Sequence, residues 1–283
     1  MSASRWAAGK MATNELRKVF LTGASSGIGL ETARLLVQHG CEVWGTSRDI
    51  ARLPQLPHFY PVPMDLENFD SIRKGFALAE KEAGAFDVLI NNAGNGAFGP
   101  LEAMPAEMVR AQFQVLVDAP LELIQLALQK MRERGCGAIV NVTSLAAQFP
   151  IPFMAPYSAA KSALSLFTQG LRVELSNTSI HVVEIRPGDI NTPFHERTRK
   201  AVASVSAEDQ RRLKAVWDTQ VRNMNAAPKP ERVARAILRA ITASNPPPVL
   251  IVGGFFQAQV TPLAARLLPL RLLEWALRQY YRL

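Results

Sequence analysis

Apolar and polar positions alternate along this chain in two rhythms. A short run with the character of a β-strand, Val19-Phe20-Leu21-Thr22, enters a glycine-rich turn. Apolar positions then recur at helical spacing: Ile28, Leu30, Ala33, Leu35 and Leu36. The same change of period repeats downstream. Strands are predicted at Cys41–Thr46, just before Asp65, at Phe86–Ile90, Ala138–Thr143, Ile180–Ile185 and Val249–Val252. Helices are predicted at Asn68–Ala83, stopped by Gly84, at Pro105–Arg134 as one long element ended by Gly135, at Pro156–Ser176 and at Pro230–Ala243. Strands alternating with helices predict an α/β fold: one doubly wound parallel sheet of the Rossmann type with helices on both faces. Ligands of such sheets bind at the carboxyl ends of the strands. The notable loops all fall there, at Gly23–Gly29, Arg48, Asp65, Asn91–Gly94, Ser144 and Pro187-Gly188.

Two stretches break the rhythm. Pro193–Pro230 is polar and helix-permissive, and reads as a mobile lid. The tail from Pro262 to Leu283 mixes leucines, Trp275 and Tyr280 with Arg266, Arg271, Arg278 and Arg282. That pattern predicts an amphipathic C-terminal helix, over 261–283, that either touches an anionic membrane surface or packs on the lid or a neighbouring copy. The expected organisation is an N-terminal extension (1–17), a dinucleotide-binding catalytic domain (18–260) and this helix.

Composition narrows the function. With 283 residues, 48% apolar and 20% charged, the chain reads as globular. A net charge of +8 suits a phosphorylated ligand or an anionic surface. No Lys/Arg block and no aromatic–basic alternation points to nucleic acid. Two cysteines, Cys41 and Cys136, fit a reducing compartment, so a cytoplasmic protein is expected, peripheral at a membrane if the tail binds one. Met1–Arg17 lacks the apolar core of a secretory signal, and no uncharged run is long enough to span a bilayer. His39, His58 and His181 show no ligand spacing, so no metal site is expected; His195 falls in the lid.

The first turn carries Gly23, Gly27 and Gly29 in a TGxxxGxG pattern between a strand and a helix. Glycine lets the backbone approach a ligand closely, and the helix start presents free N–H groups to a phosphate. Further on, Tyr157 and Lys161 are four residues apart, on one helix face. An ammonium about 5 Å from a phenol, at an effective dielectric near 20, favours the phenolate by roughly 3 kcal/mol, about two pKa units. That shift would make Tyr157 an acid/base near neutral pH. Ser144 is placed to donate a hydrogen bond to the same substrate oxygen. Beyond the second strand, Ser47 and Arg48 stand where an acidic residue would read a ribose diol; arginine instead grips a 2′-phosphate, which predicts NADP(H) over NAD(H). Asp49 either pairs with Arg48 or sits outward. Leu145, Phe149, Ile151, Phe153, Met154 and Phe194, with Phe98, predict an apolar pocket for a lipophilic ketone or alcohol.

In TGASSGIG (Thr22–Gly29), Asp65, NNAG (Asn91–Gly94), Ser144, YSAAK (Tyr157–Lys161) and PG…T (Pro187, Gly188, Thr192), the chain resembles the short-chain dehydrogenase/reductase family, and in its apolar loop the hydroxysteroid and retinol dehydrogenase-like branch. The resemblance implies hydride transfer between a nicotinamide and a carbonyl or alcohol carbon. It implies Ser144, Tyr157 and Lys161 as catalytic residues. Gly23, Ser25, Ser26, Gly27, Ile28, Gly29, Ser47, Arg48, Asp65, Leu66, Asn92, Ala93, Gly94, Tyr157, Lys161, Pro187, Gly188, Ile190 and Thr192 would hold the cofactor. A homo-oligomer is also expected. One departure stands out: Leu116 occupies the place of the family's catalytic asparagine. The alternative is therefore a dinucleotide-binding module with weak or no catalysis.

Overall fold

The computed structural model describes residues 17–201 and 205–283; the N-terminal extension up to Leu16 and residues 202–204 of the predicted lid lie outside them. Seven strands form one sheet: β1 (Arg17–Leu21), β2 (Cys41–Ser47), β3 (Phe59–Pro63), β4 (Val88–Asn91), β5 (Cys136–Val142), β6 (Ser179–Pro187) and β7 (Val249–Val252). They are all parallel, in the order β3-β2-β1-β4-β5-β6-β7. The order reverses between β1 and β4, the point where a doubly wound sheet opens a crevice.

Residues alternate between the two faces with the period of a strand. Val19, Leu21, Val43, Val88, Ile90, Val140 and Ile185 face α1 (Gly27–Gln38) and α7 (Glu231–Thr242), meeting Ala33, Leu36, Val233, Ile237 and Ile241. Phe20, Trp44, Leu89, Ile139 and Val182 face α2 (Phe69–Ala83), α4 (Ala119–Arg134) and α5 (Ala155–Glu174). Phe20, Phe76 and Phe86 pack edge-on there, with centroids 5.0–5.5 Å apart.

The predicted long helix over Pro105–Arg134 is divided. α3 (Ala106–Phe113) passes through a π-turn at Gln114–Asp118 before α4 begins. Pro120 has no N–H to return to the Leu116 carbonyl, so the regular helical bond cannot form there and the turn widens. The lid segment holds one short turn at His195–Arg197, a two-residue strand at Arg199–Lys200 paired with Ala97–Phe98, and α6 (Ala207–Ala226). The C-terminal helix is present in two pieces. α8 (Thr261–Leu267) and α9 (Leu270–Tyr281) are separated at Leu268-Pro269, where proline ends one element and starts the next. α9 packs on α6: Tyr281 is buried, and Asn223 donates to the Tyr280 hydroxyl at 2.6 Å.

Candidate active site

A cleft of about 810 Å³ opens at the carboxyl edge of the sheet. Its floor is the β1–α1 turn. Gly23 takes φ +71°, and a Cβ there would lie 2.8 Å from the Ala93 Cα; a Cβ on Gly29 would strike the Gly23 carbonyl oxygen. Bare backbone is thus required at both. Ser26 precedes α1 in extended conformation with its hydroxyl free of any capping bond, and no acidic residue occupies the first helical turn. An anion placed here meets a helix start and no opposing carboxylate. Asn92 braces the turn by donating to the Thr22 carbonyl at 2.9 Å, while its own N–H and that of Ala93 reach the Thr22 hydroxyl at 3.0 Å. Asn91 is buried and donates to Asn141 at 2.9 Å, tying β4 to β5.

The residues predicted to hold a dinucleotide all line this cleft: Gly23 and Ser25–Gly29, Ser47 and Arg48, Asp65 and Leu66, Asn92–Gly94, Tyr157 and Lys161, and Pro187, Gly188, Ile190 and Thr192. Ser144 lines it too. The donor set fits a dinucleotide: a glycine cradle and helix start for phosphates, and arginines at one end.

The electrostatics differ from the sequence-based expectation. Tyr157 is buried and its phenol is pushed up to about 12, first by desolvation and secondarily by the Asp189 carboxylate; the Ser144 hydroxyl pulls the other way. Lys161 is itself stripped of water, only 4% exposed, and falls to about 8, with Glu184 opposing the fall. Its Nζ donates to the Val142 carbonyl at 2.8 Å. The phenol therefore shifts opposite to the expected two-unit lowering: burial outweighs the helical spacing of the pair.

Leu116 sits at the π-turn, 1% exposed. A Cβ on Gly94 would lie 3.3 Å from the Leu116 Cδ2 and 3.9 Å from the Lys161 Nζ, so both side chains approach Gly94, although Leu116 itself does not line the cleft. Asp118 is exposed and faces away. Below the site, buried Glu184 pairs with Arg186 at 2.9 Å and accepts from Thr143 at 2.6 Å and Ser165 at 3.1 Å.

Leu145, Phe149, Ile151, Met154 and Phe194 line the cleft as predicted, with the Phe194 ring 5.4 Å from that of Tyr157. Phe153 does not. Its backbone takes φ +61°, and its ring packs on Phe98 at 6.1 Å. Phe98 in turn stacks edge-on with Trp217 of α6 at 5.0 Å, so both phenylalanines pack beneath α6 and neither borders the cleft. His195 stays outside it as well. Sequence reasoning missed Asp189, half-buried with its carboxylate accepting from Gln257 at 2.6 Å, and Arg52, Arg197 and Gln220. It also missed the wall built by Phe256, Leu268, Leu273, Leu277 and Tyr281. None of these carries a local motif. Among the described residues no cluster of metal-ligating side chains exists, and no helix is long and apolar enough to cross a membrane.

Residues 17–203 match the short chain dehydrogenase family. The chain is 31% identical over 275 residues to a 3-ketodihydrosphingosine reductase of Bacteroides thetaiotaomicron, covering 93% of this chain and 97% of that protein. It is 30% identical over 244 residues to estradiol 17-beta-dehydrogenase 1 of Rattus norvegicus, covering 81% and 71%. A short-chain dehydrogenase structure from Streptomyces avermitilis superposes with a TM-score of 0.78 at 26% identity, over 93% and 97% of the two chains. Other solved relatives hold NADH, as in a 4-hydroxyisoleucine dehydrogenase, or NADP, as in a metagenomic short-chain oxidoreductase. Matched over nearly its whole length, and with a glycine cradle, a serine, a tyrosine and a lysine facing one cleft, this chain belongs to the short-chain dehydrogenase/reductase family of oxidoreductases.

Proposed function

We propose that this protein is an NADP(H)-dependent oxidoreductase acting on the carbonyl or secondary alcohol of a lipophilic molecule. The observation that carries this is the convergence of Ser144, Tyr157 and Lys161 in the cleft that the α1 start also faces. It favours a working enzyme over a binding module. The glycine turn, Pro187, Gly188 and Thr192 would hold a nicotinamide dinucleotide, which would supply or accept the hydride. Tyr157, neutral over the whole physiological range, gives its proton to the carbonyl oxygen in reduction. Ser144 holds that oxygen by a hydrogen bond. Lys161 anchors the base of the cleft through Val142 and would hold the cofactor ribose. The apolar wall of Leu145, Phe149, Met154 and Phe194, extended by the C-terminal helices, excludes water and favours a lipophilic substrate. Relatives named for a sphingoid ketone and a steroid are in keeping with that class.

The NADP(H) preference rests on Arg48 in the cleft, with Ser47 in the position where an acidic residue would repel a phosphate. Asp49 does not pair with Arg48; its carboxylate accepts from the Ala51 N–H at 3.0 Å. The test is a screen of ketones and aldehydes with each reduced cofactor, followed by absorbance. Wild type should consume NADPH faster than NADH, and Tyr157→Phe should lose about a hundredfold or more of the rate. Turnover that survives that substitution would remove Tyr157 from the reaction.

The C-terminal segment supports a peripheral location at a membrane. Phe255 is 79% exposed, Leu270 71% and Trp275 55%, beside Arg271, Arg278 and Arg282. Apolar groups flanked by arginines suit the interface of an anionic bilayer. Because α9 walls the cleft, the tail cannot simply be deleted. A Leu267→Ser/Leu270→Ser/Trp275→Ser triple variant should stop floating with anionic liposomes while keeping turnover of a soluble ketone. Equal flotation would remove the membrane role.

A further inference from the structure

Three guanidinium groups meet at one end of the cleft. Arg48 directly follows β2, Arg52 closes the short turn at Ile50–Arg52, and Arg197 comes from the lid, on the turn after β6. Among the described residues none of the three has a carboxylate partner, although neighbouring charges do: Arg199 pairs with Glu67 at 2.8 Å. Arg197 is half-buried, and its Nη2 is fully buried with no acceptor. Desolvation and the charges of Arg52 and Arg48 together make its proton harder to hold.

An arginine stays charged even so. Burying a guanidinium nitrogen without an acceptor, opposite two like charges, is costly unless a ligand brings negative charge. The position of Arg197 is fixed by the structure around it. The next residue, Thr198, is buried, and its hydroxyl donates to the Phe194 carbonyl at 3.1 Å. Arg199–Lys200 then pairs with Ala97–Phe98, and the Lys200 ammonium lies 3.7 Å from the centre of the Trp217 ring. The guanidinium is held over the cleft by that anchored strand.

Arginine forks match phosphate oxygens in pairs. The end of the second strand is where the adenine ribose of a dinucleotide is read. We propose that Arg197 of the lid, with Arg48 and Arg52 opposite, forms a three-arginine cradle for the phosphoryl group on that ribose, so that the lid itself distinguishes the phosphorylated cofactor. This rests on the NADP(H) reading above and extends it from the strand end to the lid.

The test is a set of dissociation constants by calorimetry for NADPH, NADH, 2′-AMP and 5′-AMP, measured on wild type and on Arg48→Ala, Arg52→Ala, Arg197→Ala and Arg197→Lys. Arg197→Ala should weaken NADPH and 2′-AMP about tenfold to a hundredfold, the scale of one lost charged hydrogen bond. NADH and 5′-AMP should change less than about twofold, which also reports an intact fold. Arg197→Lys should recover part of the loss, as a point charge without the fork. Hydrogen exchange at residues 194–201 should slow more with NADPH than with NADH in wild type, and equally with both in Arg197→Ala. If Arg197→Ala weakens NADPH and NADH alike, the group it meets is the pyrophosphate and the cradle is overturned. If it changes neither while Arg48→Ala abolishes the preference, the lid has no part in it and the NADP(H) reading survives. If wild type binds both cofactors equally, that reading itself fails.

Discussion

At the scale of single residues, the decisive competition is between charge and burial at Tyr157 and Lys161. Removing Ser144 removes the one contact that lowers the Tyr157 pKa. Alcohol oxidation needs the phenolate, so Ser144→Ala should move the alkaline rise of the oxidation rate to higher pH, besides slowing it; a pH–rate profile of kcat/KM reads both. An unchanged profile would mean that the serine positions substrate without touching the phenol's acidity. Leu116 and the Lys161 ammonium both approach Gly94. Leu116→Asn would bury an amide there, costing about 2 kcal/mol of stability where it finds no partner. Turnover should nevertheless rise if that amide can hold a water near Lys161. A lower melting temperature with unchanged turnover would show that protons leave by a path that avoids this position.

At the scale of elements, β6 and α1 do different work. The α1 start was legible from local sequence because glycine spacing, strand period and helix period all act within a few residues. The support beneath the site was not. Glu184 on β6 meets Arg186 two residues along, Thr143 after β5 and Ser165 of α5, and only folding brings the latter two together. Glu184→Ala would leave Arg186 buried without its partner. The folded state should lose about 3–5 kcal/mol, read by urea unfolding. The division of the predicted long helix was legible in principle, since Pro120 removes a helix donor. Pro269 likewise marks where the C-terminal helix parts. The ring of Phe153, by contrast, could not be aimed from sequence, because its left-handed backbone turns it toward Phe98.

At the scale of the molecule, the cleft carries a stability cost. The Lys161 amine falls to about 8 in the folded protein, against 10.5 for an ordinary lysine. Between those pH values the unfolded chain binds more protons, so stability must rise with pH across that window. Below it, protonating this buried amine costs the folded state about 3 kcal/mol by linkage. Lys161→Met should therefore be more stable than wild type at pH 7, with the gap closing towards pH 10, as measured by urea midpoints. A variant less stable at both pH values would show that the Val142 hydrogen bond outweighs the desolvation.

What this amino-acid sequence determined by itself is whatever neighbours along the chain enforce. That includes the alternation of strands and helices, the glycine turn opening onto α1, the shared helix face of Tyr157 and Lys161, and the cleft at the strand ends. Only the tertiary structure decided which distant groups share that cleft. Arg197 faces Arg48 and Arg52, and α9 walls the site, because the lid and tail fold back over the sheet. The proton affinities of Tyr157 and Lys161 were decided there as well, since desolvation depends on everything that surrounds a side chain and spacing along a helix reports only one neighbour.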